Sequence, residues 1–191
     1  SRSVHALYDR YGAQGTAGGA LVAFGKNCAN AHPKSKEICP QMGNCILIDM
    51  GAPYCYYQSD MTRTVFYKEV SDKQREVYEL VKKANEAAEA MIKPGVKLCD
   101  IDKTARDIIS EAGYGPNFNH RLGHFIGRDV HEYGDVSAAF DMEVEPGMIF
   151  SIEPGIYIQG EFGVRIEDLV LVTGDGCEVL NHYPKDLMII G

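Results

Sequence analysis

Two aspartates border apolar segments that the sequence predicts to be neighbouring strands. Asp49 follows the apolar run 45–48, and Asp60 precedes the β-branched and aromatic run 62–67. A hairpin between these strands would bring both carboxylates to one place, where they repel each other unless a proton or a cation lies between them. Taken alone, each aspartate suits a turn or a solvated loop equally well, because Asp is common in turns.

Three of the six histidines lie close together in the sequence, at His120, His124 and His131. Histidine is the commonest metal ligand and a general acid or base near neutral pH. Gly123 and Gly127 flank the apolar pair between them, which favours a closely packed backbone over a free loop. A single histidine is more often structural, but the cluster indicates a site.

Two glutamates interrupt or end apolar strands nearer the C-terminus. Glu153 follows the run 148–152, and Glu167 follows 164–166. A buried glutamate is costly unless it is paired or bound to a metal. An ion pair between Glu167 and Arg165, which would share one face of a strand, is the alternative to metal binding.

Taken together, these residues supply four carboxylates and one imidazole: Asp49, Asp60, His124, Glu153 and Glu167. Such an oxygen-rich set suits two hard or borderline divalent cations with bridging carboxylates. Two metals about 3.5–4 Å apart can hold a hydroxide and polarise a carbonyl, which amide hydrolysis requires. The residues therefore predict a dinuclear hydrolytic centre.

The elements that must position these residues are strands in hairpins, with helices grouped between them. The run 4–11 suits the end of a helix. A second helix begins after Ser71, whose spacing to Gln74 is that of a capping box, and ends at 93–95. A third has Asp100 as its N-cap and ends at Gly113. The predicted strands are 21–24, 45–48, 62–67, 148–152, 164–166, 169–172 and 178–180. This order favours an α+β fold with a mainly antiparallel sheet.

Length, charge and cysteine content exclude several classes of protein. The 191 residues suit one domain, and 27 acidic against 19 basic residues give a net charge of −8. That balance argues against nucleic acid or an anionic membrane as the main partner, and no apolar stretch reaches the roughly 18 residues of a membrane span. The six cysteines form no CxxC pair, which favours reduced thiols and a cytoplasmic location.

Six motifs resemble those of the pita-bread metallopeptidases, a superfamily that includes prolidase (Xaa-Pro dipeptidase), aminopeptidase P, methionine aminopeptidase and creatinase. They read IDMG at 48–51, SDMTRT at 59–64, HRLGH at 120–124, VHE at 130–132, IEPG at 152–155 and VRIED at 164–168. The SDMTRT and IEPG motifs are most similar to the proline-directed branch. The resemblance runs in order from about Gly12 to the end of the chain.

This resemblance implies a curved, mainly antiparallel sheet covered by helices, and a centre with two divalent ions. Manganese is the first choice, with cobalt, zinc and iron as alternatives. Asp49 and Asp60 would bind one ion, His124 and Glu153 the other, and Asp60 and Glu167 would bridge them. Glu153 would also shuttle a proton. His120 and His131 would position the substrate and stabilise the tetrahedral intermediate, and the remaining substrate-side residues would be His32, Tyr157 and Arg165.

The implied activity is an exopeptidase that cleaves before proline through a metal-bridging hydroxide, on short peptides with proline in second position. A broader aminopeptidase, a creatinase-like hydrolase and a non-catalytic peptide-binding module stay open. The family's long first helix and separate N-terminal domain have no counterpart, so we expect 1–191 to be one catalytic domain truncated at its N-terminal side, completed by a homodimer or a missing domain. Residues 132–135 lack the arginine that many prolidases carry there, which leaves dipeptides and longer peptides as alternatives.

Overall fold

The computed structural model describes residues 2–15, 17–31 and 39–191, so the predicted substrate residue His32 lies outside the described residues. In these ranges the α-helices are α1 (Arg2–Arg10), α2 (Asp72–Met91) and α3 (Leu98–Glu111). The strands are β1 (Ala17–Phe24), β2 (Cys45–Gly51), β3 (Pro53–Tyr54), β4 (Tyr57–Gln58), β5 (Met61–Tyr67), β6 (Gly123–His124), β7 (Asp135–Val136), β8 (Ile149–Ile152), β9 (Gly155–Ile158), β10 (Phe162–Arg165), β11 (Asp168–Val172), β12 (Cys177–Val179) and β13 (Ile189–Ile190).

One sheet has the strand order β1-β2-β5-β13. Strands β2 and β5 pair antiparallel, with Asp49 opposite Thr62, as the predicted hairpin requires. The short β3–β4 hairpin connects them. At the far edge β13 runs parallel to β5, a pairing that joins distant parts of the chain and that the sequence pattern did not indicate. The other ladders of the described residues are antiparallel, which confirms the mainly antiparallel prediction.

A second group of strands carries the later acidic motifs. Strands β12, β11 and β8 form one antiparallel sheet, and β9 pairs with β10. Strand β9 was not among the predicted strands, because the sequence analysis assigned only the glutamate-proline-glycine motif to this region. An isolated bridge between Thr62 and Glu167 joins this group to β5. The bridge brings the two acidic regions of the sequence next to each other.

Helices α2 and α3 pack on each other, and α2 packs against the second group of strands. Helix α2 has the predicted capping box between Ser71 and Gln74. The N-cap prediction for α3 was wrong, because this helix begins at Leu98 with Lys97 as its N-cap. The carbonyl of Lys97 accepts the first helical hydrogen bond, from the backbone N–H of Ile101, and Leu98 is fully buried. Asp100 lies in the first turn, where a carboxylate is favoured by the helix dipole.

The core lies between the helices and the strands. Its largest fully buried side chains include Phe66, Tyr78, Phe150 and Leu47. The ring of Phe66 meets that of Tyr78 edge-on at 5.9 Å, which links β5 to α2. All six cysteines are free thiols, and Cys28 belongs to this core. None of the helices in the described ranges has the length and apolar character of a membrane span.

Candidate metal centre

Three of the predicted ligands meet at one point in the structure. One ligand atom each from Asp60, His124 and Glu167 lies within 4.8 Å of the others. The Nε2 atom of His124 is 3.8 Å from Asp60 Oδ2 and 3.6 Å from Glu153 Oε1. Three separate segments supply these groups: the residue before β5, the β6 strand and the residue before β11. A fourth predicted ligand, Glu153, follows β8, and the fifth, Asp49, lies within β2 and outside this group of three.

His124 is oriented by its own backbone surroundings. Its Nδ1 lies 3.1 Å from the carbonyl oxygen of Phe125, to which it donates. This hydrogen bond leaves the Nε2 lone pair directed at the acidic groups, as a metal ligand needs. Burial lowers the pKa of His124 to about 4, so the imidazole is neutral at pH 7.

Glycine and serine hold His124 close to Glu153. The Ser151 hydroxyl accepts the backbone N–H of His124 at 3.0 Å and donates to Glu153 Oε1 at 3.3 Å. A Cβ atom at Gly123 would lie 1.8 Å from the carbonyl oxygen of Ser151. Only glycine permits this approach of β6 to β8, which confirms the close packing predicted for this residue.

Glu167 is buried and fixed by β5. The Thr62 hydroxyl donates to Glu167 Oε2 at 2.6 Å, and the backbone N–H of Glu167 donates to the Thr62 carbonyl at 3.1 Å. The guanidinium of Arg63 donates to the Glu167 carbonyl at 2.7 Å and forms a buried ion pair with Asp168 at 2.7 Å. Sequence reasoning missed Thr62, Ser151 and Arg63. Their signal was a polar side chain within an otherwise apolar strand.

The alternative ion pair between Arg165 and Glu167, which the sequence analysis considered, does not form. The guanidinium of Arg165 instead forms its ion pair with Asp49. It also donates to the hydroxyls of Thr62 and Tyr157, each at 3.1 Å. Arg165 and Glu167 follow each other closely in sequence, but Arg165 ends β10 and Glu167 precedes β11. The chain changes strand between them, so they do not share one strand face.

Burial and mutual repulsion raise the pKa values of the acidic groups. Burial, with the charges of Glu167 and Asp49, raises the pKa of Asp60 to about 9, although Arg165 opposes this shift. The pKa of Glu167 rises to about 7, and that of Glu153 rises well above its ordinary value, in both cases mainly through burial. Carboxylates this crowded need protons or a cation between them. Three carboxylates beside a neutral imidazole suit divalent metals of hard or borderline character.

The predicted substrate residues lie around this centre. His120 Nε2 is 3.0 Å from the Tyr157 hydroxyl, and both line a cavity of about 560 Å³ together with Asn30 and Asn117. The ring of His131 is exposed and meets the ring of His124 edge-on at 4.2 Å. Arg165 is linked to the centre through Thr62, the partner of Glu167. Asp49 is held by Arg165 and does not belong to the group of three. The roles of the site residues as ligands and substrate contacts remain predictions.

Comparison with known proteins identifies the family. Residues 1–174 match the family model of metallopeptidase family M24. The chain belongs to this family. Membership confirms the resemblance seen in the motifs, and it implies divalent metal ions.

The relatives agree with this assignment. A Xaa-Pro dipeptidase of Lactobacillus helveticus is 49% identical over 170 residues, which cover 89% of this chain and 46% of that relative. The solved structure of the Xaa-Pro dipeptidase from Bacillus anthracis matches with a TM-score of 0.97 at 39% identity, covering 100% of this chain and 54% of that one. The X-Pro aminopeptidase from Thermotoga maritima MSB8 has a TM-score of 0.94 at 38% identity and covers 99% and 55%. The chain has the pita-bread fold of these proteins and spans about half their length.

Proposed function

We propose that this chain carries the catalytic centre of a dinuclear metal-dependent exopeptidase that hydrolyses the peptide bond before proline. The observation that supports this most directly is the meeting of Asp60, His124 and Glu167 within 4.8 Å, with Glu153 beside them. The proposal treats 1–191 as a single catalytic domain. The six free thiols suit a reducing compartment such as the cytoplasm.

The ligand assignment follows the resemblance of the motifs to those of the family. Asp49 and Asp60 would hold one ion, His124 and Glu153 the other, with Asp60 and Glu167 shared between them. Manganese is our first choice of metal, followed by cobalt, zinc and iron. When bound, two such ions polarise a substrate carbonyl and lower the pKa of a water molecule.

Glu153 is the residue that we propose to move the proton. Its carboxyl group lies beside His124 and accepts a hydrogen bond from Ser151. Burial raises the pKa of this carboxyl well above its ordinary value, so it binds a proton more readily than a solvated glutamate does. Glu153 would take a proton from the attacking water and deliver it to the leaving proline nitrogen.

The histidines and their neighbours would hold the substrate. His131 is exposed next to the ligand His124, where it can donate to the oxygen that gains negative charge in the transition state. His120 and Tyr157 form a hydrogen-bonded pair at the neighbouring cavity and would contact the peptide. Arg165 would orient Asp49 through its ion pair. His32 is a proposed substrate residue on sequence grounds alone.

The substrate class rests on the named relatives. The solved structures of a Xaa-Pro dipeptidase and of an X-Pro aminopeptidase match this chain at nearly the same identity, 39% and 38%. Proline in second position is common to these names, whereas peptide length differs. We therefore propose short Xaa-Pro peptides as the substrates and leave the length to experiment.

Substitution of Asp60 tests the proposal. Asp60→Ala should bind less than half the manganese of the wild type and retain below about 1% of its activity, because even changes to outer-shell residues cost roughly 10–100-fold. Metal content is measured by mass spectrometry after dialysis. Hydrolysis rates are measured on Xaa-Pro dipeptides, Xaa-Pro tripeptides and Met-peptides. The matched control is Asp141→Ala, which removes an exposed carboxylate from another segment.

Full activity of Asp60→Ala would overturn the site assignment. Equal rates on Met-peptides and Xaa-Pro peptides would instead favour a broader aminopeptidase. Tight manganese binding by a wild-type protein that hydrolyses none of the peptides would favour a binding module.

A further inference from the structure

The last part of the chain folds back over the strands that carry two of the candidate ligands. The family match ends at residue 174, so this C-terminal segment, residues 180–190, lies beyond it. The backbone N–H of Leu180 donates at 2.8 Å to the carbonyl of Leu169, a β11 residue two positions after Glu167. Further on, the carbonyl of Met188 accepts the N–H of Phe66 at 2.9 Å, in β5. The segment thus contacts both ligand-bearing strands.

Asn181 joins the two ligand-bearing backbones through one side chain. Its Oδ1 accepts the N–H of Leu169 at 2.6 Å, and its Nδ2 donates to the carbonyl of Asp60 at 3.1 Å. Leu169 lies two residues after Glu167. The side-chain amide offers an acceptor and a donor on the same carbon, so it can make both bonds at once. The backbone distance between Asp60 and the Glu167 strand is therefore spanned by a single planar group.

The residues that follow hold Asn181 in place. The guanidinium of Arg63 donates to the carbonyls of Tyr183 at 2.8 Å and Pro184 at 3.2 Å. The ammonium of Lys185 is 2.6 Å from Glu89 and 3.0 Å from Asp168. These buried and half-buried contacts fix the segment immediately after Asn181, so its amide has little freedom to move away.

We infer that Asn181 is a positioning residue of the metal centre, which fixes the backbone of Asp60 relative to that of Glu167. The inference rests on the proposed function, in which these two carboxylates share the metal ions. Thr62 already ties the Glu167 side chain and backbone to β5, but Asp60 precedes that strand. Asn181 supplies the missing tie at Asp60, against the repulsion between the carboxylates. Outer-shell residues of this kind tune metal affinity.

Two variants and a control test this inference on the full chain. Asn181→Ala removes both hydrogen bonds, whereas Asn181→Asp keeps the shape and the acceptor for Leu169 but loses the donor to Asp60. The control, Asp186→Asn, weakens an exposed ion pair with Lys82 in the same segment. Manganese dissociation constants are measured by titration calorimetry, and the thermal unfolding of each metal-free protein shows that it is folded.

We expect both Asn181 variants to bind manganese at least about 10-fold more weakly than the wild type, because 10-fold is the lower limit for outer-shell changes. The Asp186→Asn variant should bind manganese as tightly as the wild type. If both Asn181 variants bind within twofold of the wild type while their metal-free unfolding temperatures fall, Asn181 is merely structural and the inference is wrong. If the wild type binds no manganese, the proposed function fails as well. Tight binding by the wild type with loss in Asp60→Ala but not in the Asn181 variants would overturn the inference alone.

Discussion

The candidate centre has two sides that are built differently. The carboxylate side takes Asp49 from within β2, and Asp60 and Glu167 from the positions directly before β5 and β11. Asp49 is paired with β5, Glu167 accepts a hydrogen bond from Thr62 in β5, and the Asp60 carbonyl accepts one from Asn181. The histidine side takes its groups from residues 120–136, a mostly irregular segment in which β6 and β7 are two residues long. Rigid strands position groups more accurately than loops do, and loops more often carry the groups that meet the substrate.

Burial does not divide the two sides in the same way. Glu167 and the supporting Arg63–Asp168 pair are almost fully buried, but so is His124 on the histidine side, whereas the Asp49 side chain is 29% exposed. The exposed carboxylate of Glu132 accepts the N–H groups of Arg128 at 2.7 Å and Asp129 at 3.3 Å, which closes the loop before His131. The buried groups, His124 among them, are therefore the candidates for fixed metal geometry, and the exposed loop that carries His131 is the candidate for adjustable substrate contact.

The largest effect is expected on the carboxylate side. Arg63→Met leaves the buried Asp168 with Lys185, 3.0 Å away, as its one charged partner among the residues that the structure describes. Breaking a buried pair costs about 3–5 kcal/mol, and the remaining lysine places this variant near 3 kcal/mol. The free energy of unfolding is measured with urea on the metal-free protein.

The control for that experiment is Lys73→Met, which breaks an ion pair to Glu161 whose side chains are 45% and 50% exposed. Such exposed pairs contribute less than about 1 kcal/mol. Equal destabilisation by the two variants would contradict the idea that the carboxylate side is held by buried electrostatics.

A smaller effect, confined to catalysis, is expected on the histidine side. His131→Gln removes an exposed ring and should lower kcat about 100-fold, the order of magnitude for one lost donor to a developing negative charge. Manganese content and unfolding free energy should stay at wild-type values, since His131 is not a proposed ligand. Loss of metal from this variant would show that the two sides are not separate.

A pH dependence is also expected on the carboxylate side. In the metal-free protein the pKa of Asp60 is raised from 3.8 to about 9 and that of Glu167 from 4.5 to about 7, mainly by burial. The folded state therefore holds protons that the unfolded chain releases. The stability that they contribute is present below the unfolded values and is lost as pH rises towards 7 and then 9. Metal binding displaces these protons, so manganese affinity should rise about tenfold per pH unit for each proton displaced.

This dependence is measured as the unfolding temperature with EDTA and with manganese between pH 5 and 9. The gap between the two curves should widen as pH rises, and Asp60→Asn should lose less metal-free stability than the wild type between pH 7 and 9. A constant gap would contradict the shared protons on the carboxylate side.

Residue types and local spacing determined much of this protein. The apolar runs around Asp49 and Asp60 predicted the hairpin that pairs β2 with β5, and the Ser71–Gln74 spacing predicted the start of α2. The motifs identified the family and the five candidate ligands. These features depend on neighbours in sequence, which the chain itself supplies.

Only the tertiary structure decided which partners those residues take. Thr62 meets Glu167 across 105 positions of the chain, and Asn181 meets Asp60 across 121. Arg165 forms its ion pair with the distant Asp49 rather than with its near neighbour Glu167, because the chain changes strand between the latter two. Local patterns carry no information on how far separated strands come together. The candidate ligands could therefore be predicted from the sequence, whereas the groups that hold them in place became visible only in the fold.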